Sequence, residues 1–198
     1  MKRLLPLLLG ALCLGAYASV KDVSVDSARW TNQFDPHFRK YAKRYFGPHF
    51  DWRWFKAQGI AESRLRPEAR SAVGAVGIMQ ILPSTFEEIK GVNPTFKEIN
   101  EPKWNIAAGI FYDRHLYRKW KGPMPERDRL FLALAGYNAG YGGVLKAYKR
   151  TRKENPDWQE IESRLPRETR NYVGRINKLM HGKGRRLRGL EKYLANEN

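Results

Sequence analysis

The sequence predicts a mainly α-helical domain with little or no β structure, and three features support this prediction. Apolar residues recur at the i, i+3, i+4 spacing of a helix in several segments, which proline and glycine residues separate. No long run alternates apolar and polar residues, so no substantial sheet is expected. The 198 residues, 42% of them hydrophobic, suffice for one compact domain with a packed core and hardly for two.

Seven helices are expected from start and stop signals along the chain. Asp35-Pro36 and Pro83 suit a first helical turn, whereas Gly47-Pro48 and Pro67 end the helices before them. Residues 71–77 contain two glycines and are expected to form an irregular loop. The expected helices span approximately residues 35–46, 51–66, 83–91, 105–120, 125–135, 144–150 and 168–180.

Residues 1–18 have the pattern of a secretory signal peptide. Two basic residues precede an apolar stretch (residues 4–15) and an A-x-A-like cleavage site that ends at Ala18. The stretch is shorter than the roughly 20 residues of a spanning helix, so cleavage is favoured over retention as an anchor. The sequence therefore predicts secretion across the inner membrane into the periplasm, with membrane association as an open alternative. Cys13 is the only cysteine, so a mature chain would contain no disulfide.

The charge of the chain predicts an affinity for polyanions. The formal net charge is +17, and Lys and Arg are dense in a tail at residues 182–198. A signal peptide makes nucleic acid the least accessible polyanion, and the tail lacks the interleaved aromatics of a nucleic-acid surface. The tail is a candidate contact for an anionic envelope surface. A basic solvated surface without a dedicated partner is the alternative.

Common cofactor and metal patterns are absent from the sequence. The four histidines are scattered and form no i, i+4 pair, and no serine elbow or phosphate loop is found. We therefore expect no metal and no cofactor. Glu62 stands out instead, because it follows the uncharged turn 59–61 at a predicted helix end. The helix dipole and burial would both raise the pKa of its carboxyl, as a general acid requires. An exposed helix-end glutamate is the alternative.

Five short motifs follow one another in an order and at spacings that resemble the soluble-type (family 1) lytic transglycosylases. The resemblance covers about residues 51–180, and its strength lies in the order of the motifs, since each one alone is weak. The motifs are Glu62-Ser63, the segment 71–80 that ends in Gly77-Ile78-Met79-Gln80, the helix start 105–109, Tyr137-Asn138-Ala139-Gly140, and the segment 168–173.

The resemblance implies a lysozyme-like helical domain with a substrate cleft over residues 49–181, preceded by a lead-in and first helix at residues 19–48. It also implies an enzyme that cleaves peptidoglycan strands between N-acetylmuramic acid and N-acetylglucosamine. The oligomeric state is left open by the sequence, with a monomer favoured. Glu62 would be the single catalytic acid and base. A hydrolytic goose-lysozyme-like muramidase and a non-catalytic wall-binding protein on the same scaffold remain alternatives.

The other site residues are carried over from the resemblance by position. Ser63 would support Glu62, and Ser71 and Tyr172 would hold the muramyl sugar or the glutamate. Met79-Gln80 would line the cleft floor, and Tyr137-Asn138 its far wall. Core packing is the alternative for Met79 and Tyr137.

The resemblance leaves the second carboxylate of an ordinary glycosidase unassigned. Glu68, Glu87, Glu88 and Glu168 are the candidates for it, and no motif places any of them. A mechanism that needs one carboxylate therefore fits better. In this hypothesis the muramyl 2-acetamido group stabilises the cation, and the C6 hydroxyl of the same sugar closes a 1,6-anhydro ring.

Overall fold

The computed structural model describes residues 24–181, and within them it forms eight α-helices and no β-strand. Two isolated β-bridges join Arg70 to Val76 and Val76 to Ile81. The prediction of a mainly helical fold is confirmed. The predicted signal peptide and basic tail lie outside the described residues. The helices are α1 (Asp35–Phe46), α2 (Arg53–Ser63), α3 (Pro83–Val92), α4 (Pro102–Lys119), α5 (Glu126–Ala139), α6 (Tyr141–Arg150), α7 (Trp158–Glu162) and α8 (Arg167–His181).

Helix boundaries differ from the sequence expectation at several places. Helix α2 ends at Ser63, three residues before the expected end, and α6 begins at Tyr141, three residues before the expected start. Helix α4 begins at Pro102, three residues before the expected start, because proline is well suited to a first turn. Helix α5 continues to Ala139 through Gly136, where an end was expected, because that glycine packs close to Leu116 of α4. The short helix α7 was not expected, although a reciprocal capping box between Asp157 and Glu160 marks its start.

Helix α5 lies at the centre of the core. Every residue from Leu130 to Tyr137 is buried, and the helix packs against α4, α6 and α8. Helix α1 packs on α4, and α2 packs on α8. The lead-in joins the same unit, because the backbone N–H of Val25 donates to the carbonyl of Leu179 at 2.8 Å. The described part of residues 19–48 thus shares one core with residues 49–181.

The long segment between α2 and α3 is fastened to α4 by the buried side chain of Asn105. The Asn105 amide donates to the carbonyls of Val76 at 2.9 Å and Ile99 at 3.1 Å, and its oxygen accepts from the N–H of Met79 at 2.8 Å. Gly77 has a φ of +78°, and a Cβ there would lie 2.5 Å from the Asn105 amide nitrogen. Only glycine fits this approach.

None of the described helices is both long enough and apolar enough to cross a membrane.

Candidate active site

Glu62 lies in the last turn of α2, which ends at Ser63. Arg64 follows with a φ of 58°, and this left-handed residue turns the chain away from the helix axis. Glu62 as a whole residue is half-buried, and its carboxyl is held against α8 by a hydrogen bond. Such a position suits a group that must hold a proton and still reach a substrate.

Helix α8 supplies the direct partner of this carboxyl. The hydroxyl of Tyr172 donates to Oε1 of Glu62 at 2.6 Å. One turn later, the guanidinium of Arg175 donates to the carbonyl of Ala61 at 3.1 Å. Because α8 packs directly on α2, the two helices fix the orientation of the glutamate.

The environment of Glu62 raises its pKa from 4.5 to about 7. Burial is the main cause, and the hydrogen bond from Tyr172 and the positive charge of Arg175 oppose it. The carboxyl is therefore protonated in a large fraction of molecules at neutral pH. This agrees with the raised pKa expected from the uncharged turn before Glu62.

Ser63 connects the end of α2 to the segment that follows. Its buried hydroxyl donates to the carbonyl of Ile78 at 2.9 Å and accepts from the N–H of Arg66 at 3.2 Å. The same hydroxyl also lies 3.3 Å from the carbonyl of Gly59, so Ser63 connects the last turn of α2 to the loop and fixes the backbone on both sides of Glu62.

Ser71 and Gln80 brace the same loop from within. The hydroxyl oxygen of Ser71 accepts from the N–H of Ala75 at 2.9 Å. Gln80 has a left-handed φ of 48°, and its amide donates to the carbonyls of Gly77 at 2.9 Å and Ala69 at 3.2 Å. Gln80 is buried and Ser71 is half-buried, so Ser71 is the more accessible of the two.

Met79 and Tyr137 lie beneath the surface of the site and do not line it. Met79 has no exposed surface and packs so closely on Gly109 that a Cβ there would lie 2.8 Å from the Met79 methyl carbon. The Tyr137 hydroxyl donates to the carbonyl of Met79 at 2.7 Å, and the ring is buried. Asn138 follows on α5 and is half-buried with a helical backbone. Met79 and Tyr137, which were expected at the floor and the far wall of the cleft, are therefore core residues, because their apolar side chains pack in the core.

Sequence reasoning missed a second carboxyl behind Glu62. Gln58, one helical turn before Glu62 on α2, donates from its amide to Oδ1 of Asp113 on α4 at 3.3 Å. Asp113 has no exposed surface, and burial holds its pKa well above the usual range. The signal was present in the sequence, since Asp113 occupies the inward stripe of α4 that Ile106 and Ile110 define.

The ionisable groups around Glu62 act on one another electrostatically. Burial raises the pKa of Tyr137 and of Tyr172, and the charge of Glu62 raises both further. Glu62 also raises the pKa of Asp113, against the lowering effect of the Gln58 hydrogen bond. At most one negative charge is therefore favoured in this cluster, and Glu62 carries it because Asp113 is fully buried. Among residues 24–181, no group of three or more His, Cys, Asp or Glu could hold a metal ion.

The fold and the site define a helical domain in which a half-buried glutamate retains a proton near neutral pH. Residues 38–160, more than half of the chain, match the family model described as the transglycosylase SLT domain. The chain belongs to this family. The resemblance to lytic transglycosylases noted in the sequence is thereby confirmed.

Related proteins are longer than this chain. The membrane-bound lytic murein transglycosylase F of Yersinia enterocolitica is 34% identical over 148 residues, which cover 72% of this chain and 29% of that protein. The protein of the same name from Vibrio cholerae is 28% identical over 182 residues, which cover 81% of this chain and 32% of that protein. The chain therefore spans about a third or less of their length.

Solved structures support the same fold. The 70 kDa soluble lytic transglycosylase SLT70 from Escherichia coli superposes with a TM-score of 0.65 at 24% identity, covering 77% of this chain and 24% of that one. A complex of the 70 kDa soluble lytic transglycosylase with bulgecin A superposes with a TM-score of 0.62 at 24% identity, covering 75% and 24%. The lysozyme-like helical fold predicted from the sequence is confirmed.

Proposed function

We propose that the protein is a peptidoglycan lytic transglycosylase that cleaves the β-1,4 bond between N-acetylmuramic acid and N-acetylglucosamine without water. The observation that carries this proposal is the state of Glu62. The residue is half-buried, and its carboxyl receives a hydrogen bond from Tyr172 and has a pKa of about 7. A group with this pKa can give up a proton and take one back at neutral pH. Family membership and the names of the relatives supply the reaction class.

In the first step, protonated Glu62 donates its proton to the glycosidic oxygen, and the bond from C1 of the muramyl sugar to that oxygen breaks. The positive charge that develops at C1 is stabilised by the 2-acetamido group of the same sugar. Tyr172 donates to the newly formed carboxylate, so its hydrogen bond strengthens as the proton leaves. This contact stabilises the charged form of Glu62 during bond cleavage.

In the second step, the carboxylate of Glu62 takes the proton from the C6 hydroxyl of the muramyl sugar. The C6 oxygen then closes on C1, and the product carries a 1,6-anhydro ring. The attacking oxygen and the electrophilic carbon belong to one sugar, so the reaction gains from proximity. Glu62 returns to its protonated form, and no cofactor takes part.

The placement of Asp113 supports a mechanism with one carboxylate. The charge of Glu62 raises the pKa of Asp113, so these two carboxyls interact electrostatically. However, Asp113 has no exposed surface and cannot touch a sugar. Four other acids were considered from the sequence, of which Glu68, Glu87 and Glu168 are exposed and Glu88 is half-buried. The pKa of Glu62 is shifted by burial, Tyr172 and Arg175.

The remaining assignments are part of the same proposal. Ser63 and Gln80 hold the loop around the glutamate, and Ser71, Asn138 and Tyr172 are the accessible groups that contact the sugar. Residues 1–18 direct export to the periplasm, where glycan strands are the substrate. The chain acts as a monomer, and the basic tail strengthens contact with the anionic envelope.

Digestion of purified sacculi tests the proposal. The wild type should release anhydro-muropeptides, and Glu62→Gln should release none while it keeps the wild-type circular dichroism and melting temperature. Glu68→Gln is the matched control, because it removes an exposed acid from the adjoining loop, and it should retain full activity. Reducing ends throughout would indicate a hydrolytic muramidase instead. Binding to sacculi without release by the wild type would indicate a wall-binding protein.

A further inference from the structure

A cleft of about 530 Å³ lies away from Glu62, which is not among its lining residues. It is formed by the end of α1, the second half of α4 and the start of α5. The ring of Phe46 lines the cleft and packs at 4.9 Å from the ring of Phe55 in the first turn of α2. Phe55 precedes Glu62 by seven residues, which is about 10 Å along the helix. The cleft and the proposed active site therefore lie at opposite ends of α2.

The walls of this cleft carry an excess of positive charge. Its described lining includes Arg114, Arg118, Lys121 and Arg129, against one acid, Glu126. Burial lowers the pKa of Arg114, and the charges of Arg118 and Arg129 lower it further, whereas Glu126 acts in the opposite direction. The cations therefore repel one another, and a bound anion would relieve this repulsion.

Aromatic rings hold two of the guanidinium groups in place. The Arg114 guanidinium carbon lies 5.2 Å from the ring centre of Phe46 and 5.4 Å from that of Tyr117. The Arg129 guanidinium carbon lies 5.4 Å from the centre of the Tyr117 ring. A guanidinium fixed on a ring keeps its N–H groups in one plane, which suits the two oxygens of a carboxylate.

Two buried N–H groups at the cleft have no hydrogen-bond partner within the described residues. They are Nε of Arg129 and Nε1 of Trp120, and both residues line the cleft. Trp120 is only 5% exposed, so bulk water does not readily satisfy its N–H. Both groups are donors. The four cations and the aromatic rings that line the cleft suit a ligand with acceptors and negative charge, together with an apolar part that packs on the rings.

We propose that this cleft binds the carboxylate of a peptide stem of peptidoglycan. A stem combines carboxylates with small apolar side chains, which matches the guanidinium and aromatic lining and the volume of the cleft. This inference rests on the proposed function, because it takes peptidoglycan as the substrate. The cleft would hold one stem while Glu62 acts on the glycan strand, and the polymer would be bound at two points.

Binding is measured in the Glu62→Gln background, so that no cleavage occurs and the result does not depend on activity. The probe is the free stem peptide released from sacculi by an amidase, titrated by isothermal calorimetry into the full chain. The test variant is Arg118→Gln/Lys121→Gln, because both side chains are exposed and line the cleft. The control is Lys149→Gln/Arg150→Gln, which removes the same charge from exposed positions on α6 outside the cleft.

The test variant should weaken binding of the stem peptide by about tenfold or more, since two charge-assisted contacts are removed. The control variant should bind as the Glu62→Gln protein does. Equal weakening by both pairs, or binding that neither pair changes, would overturn the proposal. The proposal would also be overturned if the stem peptide did not bind and if inorganic phosphate or phosphatidylglycerol vesicles bound through Arg118 and Lys121 instead. Failure of the proposed function appears separately, as a lack of anhydro products from the wild type.

Discussion

Substitution of Tyr172 by Phe removes the hydrogen bond that stabilises the charged form of Glu62 while it keeps the aromatic ring. The bond is short, at 2.6 Å, and it opposes the effect of burial on the Glu62 pKa. A hydrogen bond to a charged group contributes about 1.5–3 kcal/mol. One pKa unit corresponds to about 1.4 kcal/mol, so Tyr172→Phe should raise the pKa of Glu62 by about one to two units.

The direction of the change in activity follows from the role of Glu62. A general acid works in its protonated form, so activity falls as pH rises through the Glu62 pKa of about 7. In Tyr172→Phe the alkaline limb of the kcat/KM profile should therefore move to higher pH, even where the maximal rate is lower. The profile is measured with a soluble glycan substrate at constant ionic strength. A carbon-13 NMR titration of labelled glutamate gives the pKa directly.

Tyr148→Phe is the matched control for this experiment. Its hydroxyl donates to the carbonyl of Glu154 at 3.0 Å, remote from the proposed site in the chain. The control should leave the alkaline limb unchanged. An unchanged limb in Tyr172→Phe, or a shift to lower pH, would refute the assignment of Tyr172 as the donor that stabilises the Glu62 carboxylate.

Two further predictions concern stability. Asp113 is buried with a raised pKa, so the fold favours its neutral carboxyl. Its contribution to the free energy of unfolding is therefore fully present below pH about 4 and is lost as pH rises. In Asp113→Asn the side chain at this position does not titrate. The free energy of unfolding of this variant, measured in urea, should therefore exceed that of the wild type by a margin that grows from pH about 4 to neutrality, where it reaches about 1–3 kcal/mol. A gain that is independent of pH would contradict this. Asn105→Ala should lower the free energy of unfolding by about 3 kcal/mol or more, since Val76, Met79 and Ile99 lose buried hydrogen bonds. A loss below about 1 kcal/mol would show that other groups replace them.

The sequence predicted the helices where local signals and packing agree. Helix α1 begins at Asp35-Pro36 and stops before Gly47, as those residues indicate. Gly136 is the opposite case, because a glycine favours a break locally but is accommodated inside α5 by its packing against Leu116. The continuation of α5 through Gly136 depends on a contact between distant parts of the chain, so no local pattern reveals it.

The sequence singled out Glu62, the proposed catalytic residue, and part of its surroundings. The uncharged turn before Glu62 indicated a raised pKa, and Tyr172 was named as a residue that holds the glutamate or the sugar. The buried pair of Gln58 and Asp113 was missed, because it forms between two helices that are far apart in the chain. Met79 was assigned to the cleft by its motif, whereas its depth depends on the packing of Gly109.

The most direct measurement for the central claim is the fate of water during cleavage. Sacculi are digested in water labelled with oxygen-18, and the released muropeptides are analysed by mass spectrometry for the wild type and for Glu62→Gln. If Glu62 alone serves as acid and then base, wild-type products contain no label and are lighter than the hydrolysed sugar by one water. The Glu62→Gln protein then releases nothing. One labelled oxygen in each new muramyl end would contradict the closure of the anhydro ring without water, and undiminished release by Glu62→Gln would contradict the role of Glu62 as acid and base.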